Sequence, residues 1–164
     1  LVRNHSVLEN ILLSLDNLTG IINRRKVYDR TKEILDEFGL DINLNEPIWK
    51  LSIGAQQWVE LIKLLIRDCK VLILDEPTAV LTPQETDILF KFLKKLKNQG
   101  KSIIFISHKM REVMELSDRV TVLKKGKTVR TMIAGEFDEA LLAVLMMFLT
   151  GKKLLKILIQ KFWK

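Results

Sequence analysis

The sequence predicts an α/β fold: a parallel sheet flanked by helices and preceded by a mainly helical stretch. Three observations carry this expectation. Val71-Leu72-Ile73-Leu74 is a run of four apolar residues that breaks into Asp75-Glu76-Pro77, and a run greasy on both faces reads as a central strand covered by helices on each side. A helical pattern and a second greasy run, Ile103 to Ile106, follow it, giving the strand–helix–strand order of a right-handed parallel crossover. Residues 1 to 50 carry apolar positions at helical spacing.

The N-terminal elements follow from caps and periodicity. Ser6 and Glu9 have the spacing of a capping box, and Val7, Leu8, Ile11, Leu12 and Leu15 continue it as a helix. Asp16 to Asn23 reads as a loop around Gly20. A second helix, Arg24 to Phe38, places Val27, Ile34, Leu35 and Phe38 largely on one side and stops at Gly39. Ser52 is then a credible N-cap for a helix through Val59, Ile62, Leu65 and Ile66. A small hydroxyl residue and Gly54 at such a start leave backbone N–H groups and the positive dipole end available to an anion. A capped core helix with no ligand would read the same way.

The acidic residues after the first strand have a place as well as a charge. In an open α/β sheet, ligands bind past the carboxyl ends of the strands, where Pro77 also prevents the ladder from continuing. Adjacent carboxylates there suit a Mg-nucleotide, one holding the metal and one taking a proton from water. A strand ending in a plain acidic turn is the competing explanation. Thr82-Pro83-Gln84-Glu85 is a helix start with cap, proline and closing glutamate. Its helix is predicted to bury Ile88, Leu89, Phe92, Leu93 and Leu96 and to end at Gly100. The parallel crossover should deliver His108, after Ser107, to the same sheet edge as Asp75 and Glu76. A histidine so placed is a candidate for touching a phosphate or a water; His5, near the chain start, is expected to be an ordinary exposed residue.

The remainder predicts a short helix from Lys109 to Leu116, strands at Val120 to Leu123 and Thr128 to Met132 around a Lys124-Lys125-Gly126-Lys127 turn, and a helix from Phe137 to Leu149. Past Gly151, Lys152, Lys153, Lys156, Lys161 and Lys164 alternate with Leu154, Leu155, Leu158, Phe162 and Trp163. That is a basic amphipathic stretch, expected to pack on the domain or stay disordered, with a membrane surface as the alternative.

Composition narrows the class. Its 48% hydrophobic and 29% charged residues describe a soluble globular chain, and 164 residues suffice for one domain with a real core and a small subdomain. The net charge of +7 suits phosphates or acidic lipid, but the lysines are scattered, as on solvated helix faces. Cys69 is the single cysteine, so no intrachain disulfide can form and a reducing interior is expected. No signal-peptide pattern opens the chain, and the longest apolar run, Ala140 to Leu149, is too short to cross a bilayer.

Taken together, these stretches resemble the ATP-binding cassette (ABC) ATPases, and closely the first cassette of the two-cassette ATPases that power simple-sugar and nucleoside importers. Leu51 to Gln57 resembles the signature motif, and Val71 to Glu76 resembles Walker B with its catalytic glutamate. Ala79-Val80-Leu81-Thr82 stands at the D-loop and Ser107-His108-Lys109 at the switch histidine. The likeness runs from Leu1 to about Gly135.

The resemblance implies an α/β P-loop NTPase (RecA-like) core with a parallel sheet plus a helical subdomain, the Walker A part missing. It places the helical subdomain, ending in the signature motif and its helix, at residues 1–67. The C-terminal part of the core falls at 68–134, and a helix with the basic tail at 135–164. It implies ATP and Mg²⁺ as cofactors, with two cassettes pairing head to tail around ATP. Ser52, Gly54 and Gln57 would bind the ATP of the opposite cassette, and Asp75 would hold Mg²⁺ through water. Glu76 would polarise the attacking water and His108 would contact the γ-phosphate. The implied partners are a second cassette and transmembrane permease subunits, with no nucleic acid. The implied location is cytoplasmic, on the inner face of the plasma membrane, coupling ATP hydrolysis to import of a sugar or nucleoside.

The sequence also departs from the family. It contains no G-x-x-x-x-G-K-[ST]; Gly100-Lys101-Ser102 and Gly126-Lys127-Thr128 imitate the motif's end, but Lys95 and Thr121 occupy the first-glycine position. Trp58 replaces the basic residue usual after the signature glutamine. The expectation is an internal fragment or a truncated, decayed product. Two other readings compete with a partial transporter cassette. One is a degenerate, non-enzymatic interaction module. The other is half of a split chromosome-maintenance ATPase head, which would need a long coiled coil where the two short helices of residues 7 to 38 stand.

Overall fold

The Ser6–Glu9 capping box forms in both directions: the Glu9 amide donates to Ser6 Oγ at 3.2 Å, and the Ser6 amide donates to the Glu9 carboxylate at 2.8 Å. In the computed structural model this box opens helix α1, Val7–Leu13. The structure describes residues 1–15, 23–67, 69–150 and 156–159. The expected loop around Gly20 and the tail lysines 152, 153, 161 and 164 lie outside them. The chain divides into two units, one of residues 1–69 and 80–89 and the other of residues 70–79 and 90–164.

The first unit is helical. Helix α2, Arg24–Phe38, starts at Asn23, whose side chain accepts from the Lys26 amide at 3.0 Å. It stops at Gly39, where φ of 62° is the left-handed conformation that glycine adopts without strain. Val27, Thr31, Ile34 and Leu35 are buried, one helical face. The buried Asn10 fastens the chain start, accepting from the Val2 amide at 2.6 Å and donating to the Val2 and Ser6 carbonyls at 3.0 Å. Backbone bonds from Val7 to Glu46 and from Ile48 to His5, each 3.0 Å, lay residues 44–48 along this segment. A 3₁₀ turn, Ile48–Lys50, then leads into helix α3, Ile53–Ile66, which packs on α1 and α2. Helix α3 buries Trp58, Val59, Leu61 and Ile62; the expected Leu65 and Ile66 are only half-buried.

The second unit is built on a five-stranded sheet. Strands β1 (Val71–Asp75) and β2 (Ser102–Ser107) pair in parallel, Val71 with Ser102 through Asp75 with Ile106. Helix α4, Pro83–Asn98, connects them. Its capping box forms as expected, the Thr82 amide donating to Glu85 at 2.7 Å and the Glu85 amide to Thr82 Oγ1 at 3.3 Å. Helix α5, Met110–Leu116, follows β2. Strands β3 (Arg119–Lys124) and β4 (Lys127–Ile133) form the expected hairpin. Its two-residue turn has positive φ at both Lys125 and Gly126, as a type I′ turn requires. Helix α6, Glu139–Thr150, packs on α5 and β3.

One expectation changes. The first strand is not central. In the described sheet the order is β1-β2-β5-β3-β4, so β1 is an edge strand. Leu72 and Leu74 are buried while Val71 and Ile73 on the other face are 51% and 64% exposed. A short apolar run fits a strand covered on one face as well as on two. Part of the tail packs on the domain, the first of the expected outcomes, and does so as a strand. Lys156–Ile159 forms strand β5, inserted antiparallel between β2 and β3, with Leu158 opposite both Ile106 and Thr121. Each neighbour offers a row of backbone donors and acceptors there, and a four-residue segment in the gap satisfies both.

Candidate functional site

The end of β1 sets the geometry of the acidic pair. Asp75 is the last strand residue and is exposed, on the face shared with Val71 and Ile73. Glu76 leaves the strand with φ of 48°, left-handed and uncommon for a residue with a side chain. Two backbone bonds hold it: its amide donates to the Ile106 carbonyl at 2.9 Å, and its carbonyl accepts from Ala79 at 3.1 Å. Pro77 and Thr78 behind it are buried.

Because β2 runs parallel to β1, its end arrives at the same edge. His108 Nδ1 lies 3.2 Å from Glu76 Oε1, with the imidazole 57% and the carboxylate 34% exposed. The structure therefore brings Glu76 and His108 together, with Asp75 at the end of the same strand. A half-exposed carboxylate beside an imidazole, at an open strand end, can orient a water and hold a proton next to a phosphate.

Sequence reasoning missed the layer beneath. Glu112 of α5 is buried and accepts from the hydroxyls of Thr78 and Ser107. Lys109 Nζ lies 3.3 Å from Glu112 and donates to the Thr78 carbonyl and hydroxyl at 3.0 Å each. The signal was present: Lys109, Glu112, Val113 and Leu116 have the spacing of one helical face, and an acidic residue between apolar neighbours on that face needs partners.

In the first unit, Ser52 caps α3 as expected, accepting from the Ala55 amide at 3.1 Å while itself exposed. Gln56 Nε2 donates to the Leu51 carbonyl at 3.0 Å, folding its side chain back over the helix start. The first-turn N–H groups of a helix have no intrahelical acceptor. Gly54 is buried, and a Cβ built on it would meet Glu85 Oε1 at 3.0 Å. Gln57 is half-buried on the same opening turns. Ser52, Gly54 and Gln57 belong to one unit, and Asp75, Glu76 and His108 to the other.

The residues fit part of a Mg-nucleotide. Mg²⁺ is commonly held by one or two carboxylates with water and phosphate oxygens, a set that Asp75 alone can anchor. Among the described residues no group of three or more His, Cys, Asp or Glu side chains could hold a metal ion, so an all-protein cage is not what this edge offers. A backbone phosphate cradle of P-loop type is not encoded in the 164 residues.

Residues 1–79 match the family model described as ABC transporter. The glucose import ATP-binding protein TsgD13 of Haloferax volcanii is 50% identical over 117 residues, covering 71% of this chain and 21% of that protein. The xylose import ATP-binding protein XylG of Thermoanaerobacter pseudethanolicus is 44% identical over 140 residues, 85% of this chain and 28% of that one. The ribose import ATP-binding protein RbsA of Bacillus licheniformis is 42% identical over 128 residues, 77% and 26% respectively. The chain thus spans between 21% and 28% of the length of these curated relatives. Among solved structures, the dimeric ATP-binding cassette MJ0796, in a post-hydrolysis state bound to ADP and Pi, superposes with a TM-score of 0.73 at 25% identity. That match covers 84% of this chain and 60% of that one.

Proposed function

The chain belongs to the ATPase domains of the ABC transporter family, and from that premise we propose that it works as part of the ATP-binding subunit of a sugar importer. The printed functions of its relatives, import ATP-binding proteins for glucose, xylose and ribose, support the solute class. A nucleoside is the alternative cargo. The observation that carries the reading is the Glu76–His108 pair at the shared strand edge.

Mg-ATP, when bound, supplies the phosphoanhydride to be cleaved and a cation that offsets the phosphate charge. Glu76 polarises the attacking water by accepting its hydrogen bond, and His108 presents its imidazole to the terminal phosphate. Asp75 is the residue that would hold the cation. Ser52, Gly54 and Gln57 offer the α3 start to the nucleotide of an opposed cassette, where free N–H groups and the helix dipole favour an anion. The proposed division is a helical subdomain at residues 1–67, a core part at 68–134 and a C-terminal part at 135–164. The proposed partners are a second cassette and transmembrane permease subunits, on the cytoplasmic face of the membrane. No helix among the described residues is long and apolar enough to cross a membrane itself.

The test is to fuse the chain to the P-loop segment of an ATP-binding cassette and measure ATP binding and hydrolysis, with the unfused chain as control. Glu76→Gln in the fusion should keep binding and lose the ~10²–10⁴-fold that a positioned base contributes. A fusion that binds ATP and never hydrolyses it would favour the interaction-module reading.

A further inference from the structure

Glu112 has no part in the chemistry just described, yet its side chain is only 3% exposed. A carboxylate so deep is costly unless donors surround it. Its donors come from particular places: Thr78, two residues after Glu76, and Ser107, the residue before His108. Lys109, the residue after His108, completes the set. Its Nζ lies 3.3 Å from Glu112, and its amide donates to Ser107 Oγ at 3.0 Å.

We propose that Glu112 is a positioning residue, clamping the turn after Glu76 to the end of β2 and so fixing the Glu76–His108 pair. Two features call for such a clamp. Glu76 sits at φ of 48°, a conformation that persists in a non-glycine residue only where its surroundings over-determine it. The imidazole and carboxylate also come from chain segments 32 residues apart, joined by two backbone-paired strands and, beneath them, by this carboxylate together with Lys109. Its importance for hydrolysis rests on the reading of Glu76 and His108 as the reacting pair; the geometry itself can be tested without that reading.

The experiment uses the full 164-residue chain and two NMR readouts. The first is the ring nitrogen shifts of His108, which has only His5 as a companion histidine. The second is amide exchange at Glu76, whose N–H donates to Ile106, compared with the amides of β3. Glu112→Gln keeps one acceptor oxygen but loses the charge; Thr78→Val and Ser107→Ala each remove one donor to Glu112 and one acceptor of Lys109, and keep the Lys109–Glu112 ion pair. All three should move the His108 ring shifts in the direction set by Glu76→Gln. They should also speed Glu76 exchange by at least about tenfold, with β3 little changed, as for local rather than global opening. If Glu76→Gln moves His108 and none of the three does, Glu112 is a buried ion-pair partner only and the proposal falls. Equal acceleration of Glu76 and β3 amides, a general loss of stability, would also overturn it. If Glu76→Gln leaves His108 unmoved, the pair assigned to the site is wrong. The Glu76 exchange rates then still decide whether Glu112 holds the turn.

Discussion

The carboxylate of Glu85 occupies the space that a side chain at Gly54 would need: a Cβ there would lie 3.0 Å from Oε1 and 3.3 Å from Oε2. Glu85 is not free to swing aside, because it accepts from both the amide and the hydroxyl of Thr82, at 2.7 and 2.9 Å. The glycine at the α3 start thus fits against the capping box that opens α4. Alanine at Gly54 should therefore strain that box. Gly54→Ala should destabilise the chain by about 1 kcal/mol, the scale of a lost cap, and cost nothing in a Glu85→Ala background. Denaturant unfolding of the four variants measures the coupling; equal effects in both backgrounds would show that the space is not contested.

The proposed opposed-cassette role of the α3 start makes a second prediction. In a mixed dimer of P-loop-completed subunits, Ser52→Arg on one subunit should silence the ATP site whose P-loop lies on the other. Single-turnover hydrolysis in dimers carrying one P-loop mutation on a chosen subunit reads this out. Loss confined to the site within the substituted subunit would contradict the assignment.

A third prediction concerns the edge strand. Val71 and Ile73 expose apolar surface on β1, an edge strand of the described sheet, a template for association. The chain should self-associate, and Ile73→Lys should weaken association. Burying one isoleucine on association is worth about 1.5–3 kcal/mol, roughly tenfold to a hundredfold in the association constant. Sedimentation velocity over a concentration series tests it, and an unchanged profile would place the contact elsewhere.

The α1 cap gives a pH prediction. The Ser6 amide, first, and then the Ser6 hydroxyl hold the Glu9 carboxyl below its ordinary range. A carboxyl lowered in the folded state contributes stability above its unfolded pKa and loses it as pH falls through the folded one. Ser6→Ala removes the hydroxyl and leaves the amide, so the Glu9 titration should move part of the way up. Carbon-detected NMR titration of the Glu9 side chain follows it; no movement would mean the hydroxyl is not engaged.

Much of this molecule was legible locally. The two capping boxes, Ser6–Glu9 and Thr82–Glu85, and the stop at Gly39 are decided within one helical turn, by groups only a few bonds apart. The parallel pairing of β1 and β2, with His108 beside Glu76, was also legible, because a strand–helix–strand connection fixes direction and hence which ends meet. Three features belonged to the tertiary structure. The apolar run of β1 could not tell one covered face from two, since that depends on which strands and helices lie beside it. The tail strand β5 exists by pairing with β2 and β3, which supply its hydrogen bonds from more than 30 residues away in sequence. The burial of Glu112 depends on Thr78 and Ser107 arriving together from separate turns. Short-range hydrogen bonding and direction reversal are written in the chain; desolvation and strand neighbourhood are properties of the assembled fold.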